Sequence, residues 1–516
     1  MKSNLIFSDK FKVYAGYLLV ILISIYMWSP LVNAQWGLVD DHEVVWLIGE
    51  SNRLNLFDIP SVLMKTELNL ESSLPRFRPS YYTVRAIEAS VFGKNPSLWY
   101  LLRVLIFVYF GCVLFGFLFR IESNFIPHVF IVYCLSASYW SDIFARAGPA
   151  EVYCVLGVAL MMHGLLHIYA KHVWKLSYWM VFVGFLLAVG AKENMIFLAA
   201  IPLWLLFTKK MSLLARVLMV SMLLYTALIV VILIGRLSSI GADIYANDIG
   251  LQSRFLLMKS LVKSSGFKWL FLLSLSSSIY YVVLKRVGGV SELIVERAFV
   301  LVVAIVLCAF IYASQFVFYA GKWPDGAMSR YLFPGFIFLH LGAFFAISIL
   351  FLYFNEGQFF KYVKNVFLFI LCIYYASPVW TSMNENRQFA LNTSKITSKF
   401  NVEYNKARIE LAQDVTKVLV VQVGSIWDCE PVQGLVRFLR SDRLANPVVV
   451  IVGPTVDAVN NGPLEISLRN TLHNWEKDGA TFGLSSRSIL INSNCYSIGL
   501  SGDAYSGCIK SGGKVW

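Results

Sequence analysis

Residues 13–34 read VYAGYLLVILISIYMWSPLVNA, a stretch without a charged side chain and long enough to cross a bilayer as a helix. Immediately beyond it the chain turns acidic, with Asp40-Asp41-His42-Glu43. Apolar runs of the same kind recur at 98–119, 124–140, 151–170, 176–191, 194–208, 212–234, 268–285, 297–319, 330–354 and 365–380. With the first they make about eleven spans. The pattern predicts an α-helical polytopic membrane protein over 1–380, followed by a different kind of segment over 381–516.

The composition of the whole chain agrees. Of its 516 residues 58% are apolar and 15% charged, and its mean hydropathy is +0.64. Soluble domains carry about a quarter of charged residues. An apolar exterior on this scale is solvated by lipid, so the lipid bilayer is the first partner the sequence names. The net charge of +13 does not point to nucleic acid, because the basic residues are scattered rather than gathered on one stripe or helix.

The basic residues instead mark alternate turns: Lys2, Lys10 and Lys12, then Arg120, Lys171 and Lys175, Lys209 and Lys210, Lys285 and Arg286, Lys361 and Lys364. Lys and Arg are retained on the cytoplasmic side. The N-terminus is therefore expected in the cytoplasm of a cell with an inner (cytoplasmic) membrane. Segments 35–97, 141–150, 235–267, 320–329 and everything after 380 then fall outside, and the C-terminus is periplasmic or extracellular. The first run also has the outline of a signal peptide, ending Val32-Asn33-Ala34, although small residues are common at such ends. Cleavage there would not move the later spans.

After 380 the periodicity changes. Val418–Val423 and Val448–Val452 are short β-branched runs, and 432–440 has helical apolar spacing, which predicts a small α/β unit. Of the eight cysteines, Cys112, Cys134, Cys154, Cys308 and Cys372 lie in apolar runs and read as small hydrophobes. Cys429, Cys495 and Cys508 lie in the C-terminal segment, where a Cys495–Cys508 disulfide is one of the open pairings.

The residues with chemistry gather outside. Asp40, Asp41 and Glu43 are three carboxylates within four positions, an arrangement that repels itself unless a cation or proton compensates. It can supply a general base or a divalent-metal site, with His42 beside it; equally, Asp40 or Asp41 can cap the helix that follows. Arg76-Phe77-Arg78-Pro79, followed by Tyr81, Tyr82 and Arg85, offers guanidinium forks for phosphate. Residues 141–151, SDIFARAGPAE, hold Asp142, Arg146 and Glu151 around a Gly-Pro turn; Lys192-Glu193 interrupts two apolar runs; and 321–334 ends in Arg330-Tyr331-Leu332-Phe333-Pro334. A structural turn, a self-neutralising pair and an interfacial anchor are the corresponding ordinary readings. His163 and His167 share a helix face without carboxylate or thiol companions, and read as packing.

In its long acidic first outside loop, its Lys-Glu turn, its Arg-Tyr-x-x-Pro element and its many spans, the chain resembles the GT-C superfamily of membrane glycosyltransferases. Protein O-mannosyltransferases and aminoarabinose transferases belong to it. The resemblance covers roughly residues 10–380 and rests on short motifs. It implies an inverting transfer of sugar from a polyprenyl-phosphate donor to a glycan, lipid or protein acceptor. It makes Asp41 the catalytic base with Asp40 next in line, and His42, Glu43, Asp142 and Glu151 acidic or acceptor-side support. Arg76, Arg78, Lys192, Arg330 and Tyr331 would bind the donor phosphate. The Asp-Asp-His-Glu order departs from the Asp-Glu pair of the mannosyltransferases, which bears on the identity of the base. No nucleotide is required, and a divalent ion is possible on Asp40, Asp41 and Glu43. A polysaccharide polymerase or ligase, a transporter and an envelope assembly protein are the rival classes. Polymerases usually carry their long loop late in the chain, and transporters place charge within spans.

Overall fold

The computed structural model describes residues 2–69, 76–169, 175–208, 211–240, single positions between 272 and 283, 292–318, 330, 333, 335–353, 358–423, 429–446, 448–452, 480–482 and 495–499. Most of the expected span 268–285, Tyr331, Cys508 and most of the C-terminal loop lie outside these residues.

Helices dominate. The first, α1 (Lys2–Trp28), runs into a 3-10 turn at Ser29–Asn33, where Pro30 ends the regular hydrogen bonding. The first outside loop is not an open coil: it folds into α2 (His42–Ile48), α3 (Ile59–Leu63) and α4 (Pro79–Phe92). Gly49 and Gly93 close α2 and α4 at φ 65° and 58°, a backbone setting that favours glycine. Pro79 and Pro96 open α4 and α5 (Pro96–Ile121), where a missing N–H costs nothing. Then follow α6 (Ile126–Ser136), the short α7 (Trp140–Phe144), α8 (Glu151–Tyr169) and α9 (Lys175–Ala191). A 3-10 turn, Glu193–Ala199, leads into α10 (Ala200–Thr208), followed by α11 (Leu213–Ile240), α12 (Glu292–Phe318) and α13 (Gly335–Tyr353).

Among the described residues five helical stretches are long and apolar enough to cross a membrane: Lys10–Asn33, Pro96–Ile121, Glu151–Ile168, Leu213–Ser239 and Ile294–Ile311. Ile126–Ser136, Leu176–Ala191, Glu193–Phe207 and Gly335–Ile349 are shorter apolar helices. The chain is thus a helical protein with membrane-spanning character. Its lipid-type surface is visible on α11, where Val217, Val220, Leu224, Leu228, Val231 and Ile234 are all exposed. Inside, large rings such as Trp28, Phe107, Trp140 and Phe144 interlock edge to face. Helices α8 and α9 cross closely, where a Cβ on Gly157 would lie 2.5 Å from the Gly184 carbonyl oxygen. Small residues let two backbones approach in this way.

The expected boundary at 380 falls inside one continuous helix, α14 (Gln358–Gln413), which carries Pro378. Beyond it, β1 (Val418–Val423), α15 (Cys429–Ser441) and β2 (Val448–Val452) follow in βαβ order. With β3 (Ala480–Phe482) and β4 (Cys495–Gly499) they form a parallel sheet of order β3-β2-β1-β4. Helix α15 packs on α2, and Gly434 is needed there because a Cβ would lie 2.4 Å from the Leu38 carbonyl oxygen. The segment after 380 therefore leans directly on the acidic stretch.

Candidate functional site

The site forms where the first loop, the α7–α8 turn, the Lys192-Glu193 turn and Arg330 meet. Its centre is Asp40, a non-glycine residue at φ 65°, a conformation Asp adopts more readily than most side chains. This setting turns its carboxylate away from that of Asp41. Asp40 Oδ2 lies 3.4 Å from Arg146 Nη1 and 3.2 Å from Arg330 Nη1. Burial pushes the Asp40 carboxyl upward, but the guanidinium charges of Arg330, Arg146 and Arg85 outweigh it and hold it below the usual carboxylate range. Gly148 is also required, since a Cβ there would lie 2.1 Å from the Asp40 Cβ.

Asp41 is buried. Its Oδ2 accepts from the Gly37 amide at 2.8 Å and from Tyr100 OH at 2.9 Å, and its Oδ1 accepts from the Ala147 amide at 2.9 Å. Burial lifts its carboxyl to about 6, against the pull of those donors. Both oxygens are engaged in tying three segments together, and 1% of the residue is exposed. It does not act as a conventional cap, for it makes no side-chain hydrogen bond to the first turn of α2.

The other predicted residues separate. His42 is buried against Gly434, and burial lowers its imidazole to about 4, so it is neutral at physiological pH. This sets it as a packed residue rather than acceptor-side support. Glu43 Oε2 lies 2.7 Å from Arg85 Nη1 and 2.9 Å from Tyr81 OH. Glu151 holds Lys192 Nζ at 2.6 Å, and Lys192 also reaches the Arg330 carbonyl at 3.4 Å. Arg78 forks onto Glu193 through Nε and Nη2 at 2.9 and 3.0 Å. Asp142 sits in the first turn of α7, partly exposed, and Arg76 offers its carbonyl to Arg236. Tyr331 lies outside the described residues.

The metal reading fails on this geometry. Asp40, Asp41 and Glu43 point to different partners, and among the described residues no group of three or more His, Cys, Asp or Glu side chains is placed to hold a metal ion. The compensation that three adjacent carboxylates demand comes from arginines at Asp40 and Glu43, and from amide and hydroxyl donors at Asp41.

Side-chain exposure sorts the cations. It is 45% for Arg146, 22% for Arg330, 11% for Arg78 and 2% for Lys192. Arg146 and Arg330 are accessible to a ligand, whereas Lys192 and Arg78 are locked to Glu151 and Glu193 and hold the wall. Beneath the site a second buried network ties Arg103 to Glu88 through two 2.9 Å bonds, with Tyr153 OH 2.6 Å from Glu88. Arg146, Arg85, Tyr81, Tyr100 and Glu67 complete the constellation, the first three from charged stretches already visible in the sequence. The quoted 141–151 stretch contained Arg146, but no local signal marks Tyr100 or Glu67. No protein-family model matches the chain, and no curated protein matches it closely enough to stand as a relative.

Proposed function

We propose that the chain is a membrane glycosyltransferase that moves a sugar from a polyprenyl-phosphate donor to a glycolipid, polysaccharide or protein acceptor at the outer face of the cytoplasmic membrane. One observation carries the reading: Asp40, partly exposed, stands between Arg146 and Arg330, where the first loop, the α7–α8 turn and Arg330 meet. A base and two accessible cations in contact are what such a transfer needs.

Asp40 is the base in this reading, in place of Asp41. Before the donor arrives, Asp40 is held ionised by Arg330 and Arg146. The donor phosphate competes for those guanidiniums, and as they turn to the phosphate the carboxylate becomes a stronger base. Asp40 then takes the acceptor O–H or N–H proton, the acceptor atom bonds to the anomeric carbon, and the bond to the phosphate oxygen breaks. The leaving phosphate stays on Arg330 and Arg146. A single displacement inverts the anomeric centre.

The eleven-span reading draws support from contacts between loops. Arg236, at the far end of α11, donates to the carbonyls of Glu67 and Asn69 in the first loop. Arg297, near the start of α12, bonds Glu122 and the Ile121 carbonyl at the end of α5. Since α5 leaves the loop face, Glu122 marks the opposite one. An odd number of crossings between 236 and 297 fits these contacts, and the expected span at 268–285 would make it one. The four-stranded unit after α14 reads as a small α/β domain on the outer face, packed through α15 onto the loop that bears the base.

The test compares lipid-linked and surface glycans in cells with the wild type, Asp40→Asn, Asp41→Asn or no protein. Asn is tolerated at positive φ, so Asp40→Asn removes the base and leaves the turn. Loss of one glycan modification in the Asp40→Asn cells and the null, with normal protein in the membrane, is the expected result. Full modification with Asp40→Asn refutes Asp40 as base, and no glycan change in the null refutes the transferase.

A further inference from the structure

Glu67 lies in the turn that follows α3, and 7% of it is exposed. Its Oε2 is buried with no hydrogen-bond partner. A buried carboxyl oxygen left in this way is costly, and native proteins keep one where something else is to meet it. The strand of chain that carries Glu67 is not loose. Arg236 Nη1 donates to the Glu67 carbonyl at 2.9 Å and to the Arg76 carbonyl, and its Nη2 donates to the Asn69 carbonyl at 2.7 Å. The same guanidinium lies 5.3 Å over the Phe77 ring. One buried arginine therefore fixes both ends of the segment that presents Glu67.

The charges acting on Glu67 are those of Arg78, Arg76, Glu193 and Glu43, so it borders the cationic side of the site. A carboxylate placed there for structure would take Arg78 as its partner. Arg78 instead gives its fork to Glu193, through Nε and Nη2. Burial outweighs the nearby arginines and holds the Glu67 carboxyl above its usual range. A carboxyl oxygen accepts from the hydroxyl and amino groups of a sugar, whereas a phosphate offers it only oxygens.

We propose that Glu67 is a specificity-determining residue that recognises the transferred sugar, its unpaired carboxyl oxygen meeting a sugar hydroxyl or amino group on the Arg76–Arg78 side of the site. This rests on the transferase reading above. One well-placed hydrogen bond to the sugar corresponds to about a tenfold preference.

The experiment measures binding to purified full-length protein in lipid nanodiscs. The probes are farnesyl phosphate and farnesyl phosphate bearing either a neutral hexose or an aminopentose. Wild type should bind farnesyl phosphate, and at least one sugar-bearing probe about tenfold more tightly. Glu67→Met, close in length but without polar atoms, should erase that preference and leave farnesyl phosphate binding within about twofold. It should also raise the thermal transition, because it relieves an unpaired buried oxygen. A lowered transition in Glu67→Met, with sugar preference intact, makes Glu67 structural and overturns the proposal. So does a wild type that binds all three probes alike. If wild type binds none of the probes, the transferase reading itself falls, and the inference with it.

Discussion

At the scale of single residues, the acidic stretch was legible as a place but not as a set of roles. Asp40-Asp41-His42-Glu43 announces a site because three carboxylates need compensation. Which carboxylate faces the ligand depends on one backbone angle, the φ of 65° at Asp40, and on Arg330, which lies 290 residues away. Neither is written in the local sequence. The division of labour leads to a contrast between neighbours. Asp41→Asn replaces a carboxylate that accepts three hydrogen bonds, and either orientation of the amide sets an NH2 against a donor. A cost of about 1–3 kcal/mol follows, to be read as a lower thermal transition in detergent, whereas Asp40→Asn should leave the transition nearly unchanged and abolish transfer. A variant of Asp41 that is fully stable yet inactive refutes the assignment. The pH dependence has a definite sign. The Asp41 carboxyl stands at about 6 in the folded protein against 3.8 ordinarily. Between these values the folded chain keeps a proton that the unfolded chain has lost, so the contribution is full below about 4 and lost as pH rises through 6. Asp41→Asn removes this component. Thermal transitions recorded from pH 4 to 7 should therefore fall less steeply in the variant than in the wild type, and parallel curves would contradict the burial of this group.

At the scale of elements, apolar runs read from the sequence correspond to helices wherever the residues are described, because lipid forces the backbone to satisfy itself. The ends were harder to read. A change to polar composition near 380 marks where the chain leaves the apolar layer, yet α14 continues to Gln413. Its polar half keeps a helical period, with Met383, Asn386, Ala390, Thr397, Phe400, Tyr404, Ala407 and Leu411 all buried. Polarity therefore reported solvent and not the end of the element. Packing between elements reaches the site through the α8–α9 crossing. Gly157 and Gly184 each leave only 2.5 Å between a notional Cβ and the other's carbonyl oxygen. This crossing aligns the start of α8, with Glu151, against the end of α9, beside Lys192. Gly184→Val should wedge the two helices apart, at a cost of about 1–3 kcal/mol, and lengthen the Lys192–Glu151 contact that closes the wall behind Arg330. The measurement is the thermal transition of the purified protein together with transfer activity, and both should drop. Gly235→Val is the control, since among the described residues nothing lies within 4 Å of a Cβ there; an equal loss in that variant would remove the crossing from the explanation.

At the scale of the whole molecule, the question is which segments share a side. Contacts answer it independently of hydropathy. The Gln35 amide donates to Thr397 Oγ1 at 3.0 Å, Ser441 Oγ donates to the Gly49 carbonyl at 2.6 Å, and Arg443 pairs with Glu50 at 2.8 Å. The first loop and the segment after 380 therefore lie on one side of any membrane the chain crosses. On the other side His128 Nε2 lies 2.9 Å from the Lys12 carbonyl, and Arg297 joins Glu122. The bias of Lys and Arg toward that second side is the ground for proposing that it faces the cytoplasm. Cysteine labelling in intact cells tests both statements at once, in a background whose eight native cysteines are replaced. A membrane-impermeant maleimide should label Ser51→Cys and Lys406→Cys and spare Lys10→Cys until the membrane is opened. Labelling of Lys10→Cys alone would invert the orientation but keep the two faces, and the site would then open to the cytoplasm, where nucleotide sugars rather than flipped lipid-linked ones are at hand. Labelling of Ser51→Cys without Lys406→Cys would separate segments that the contacts hold together. In that case α15 could not brace α2, and the clamp on the loop that carries Asp40 would be lost with it.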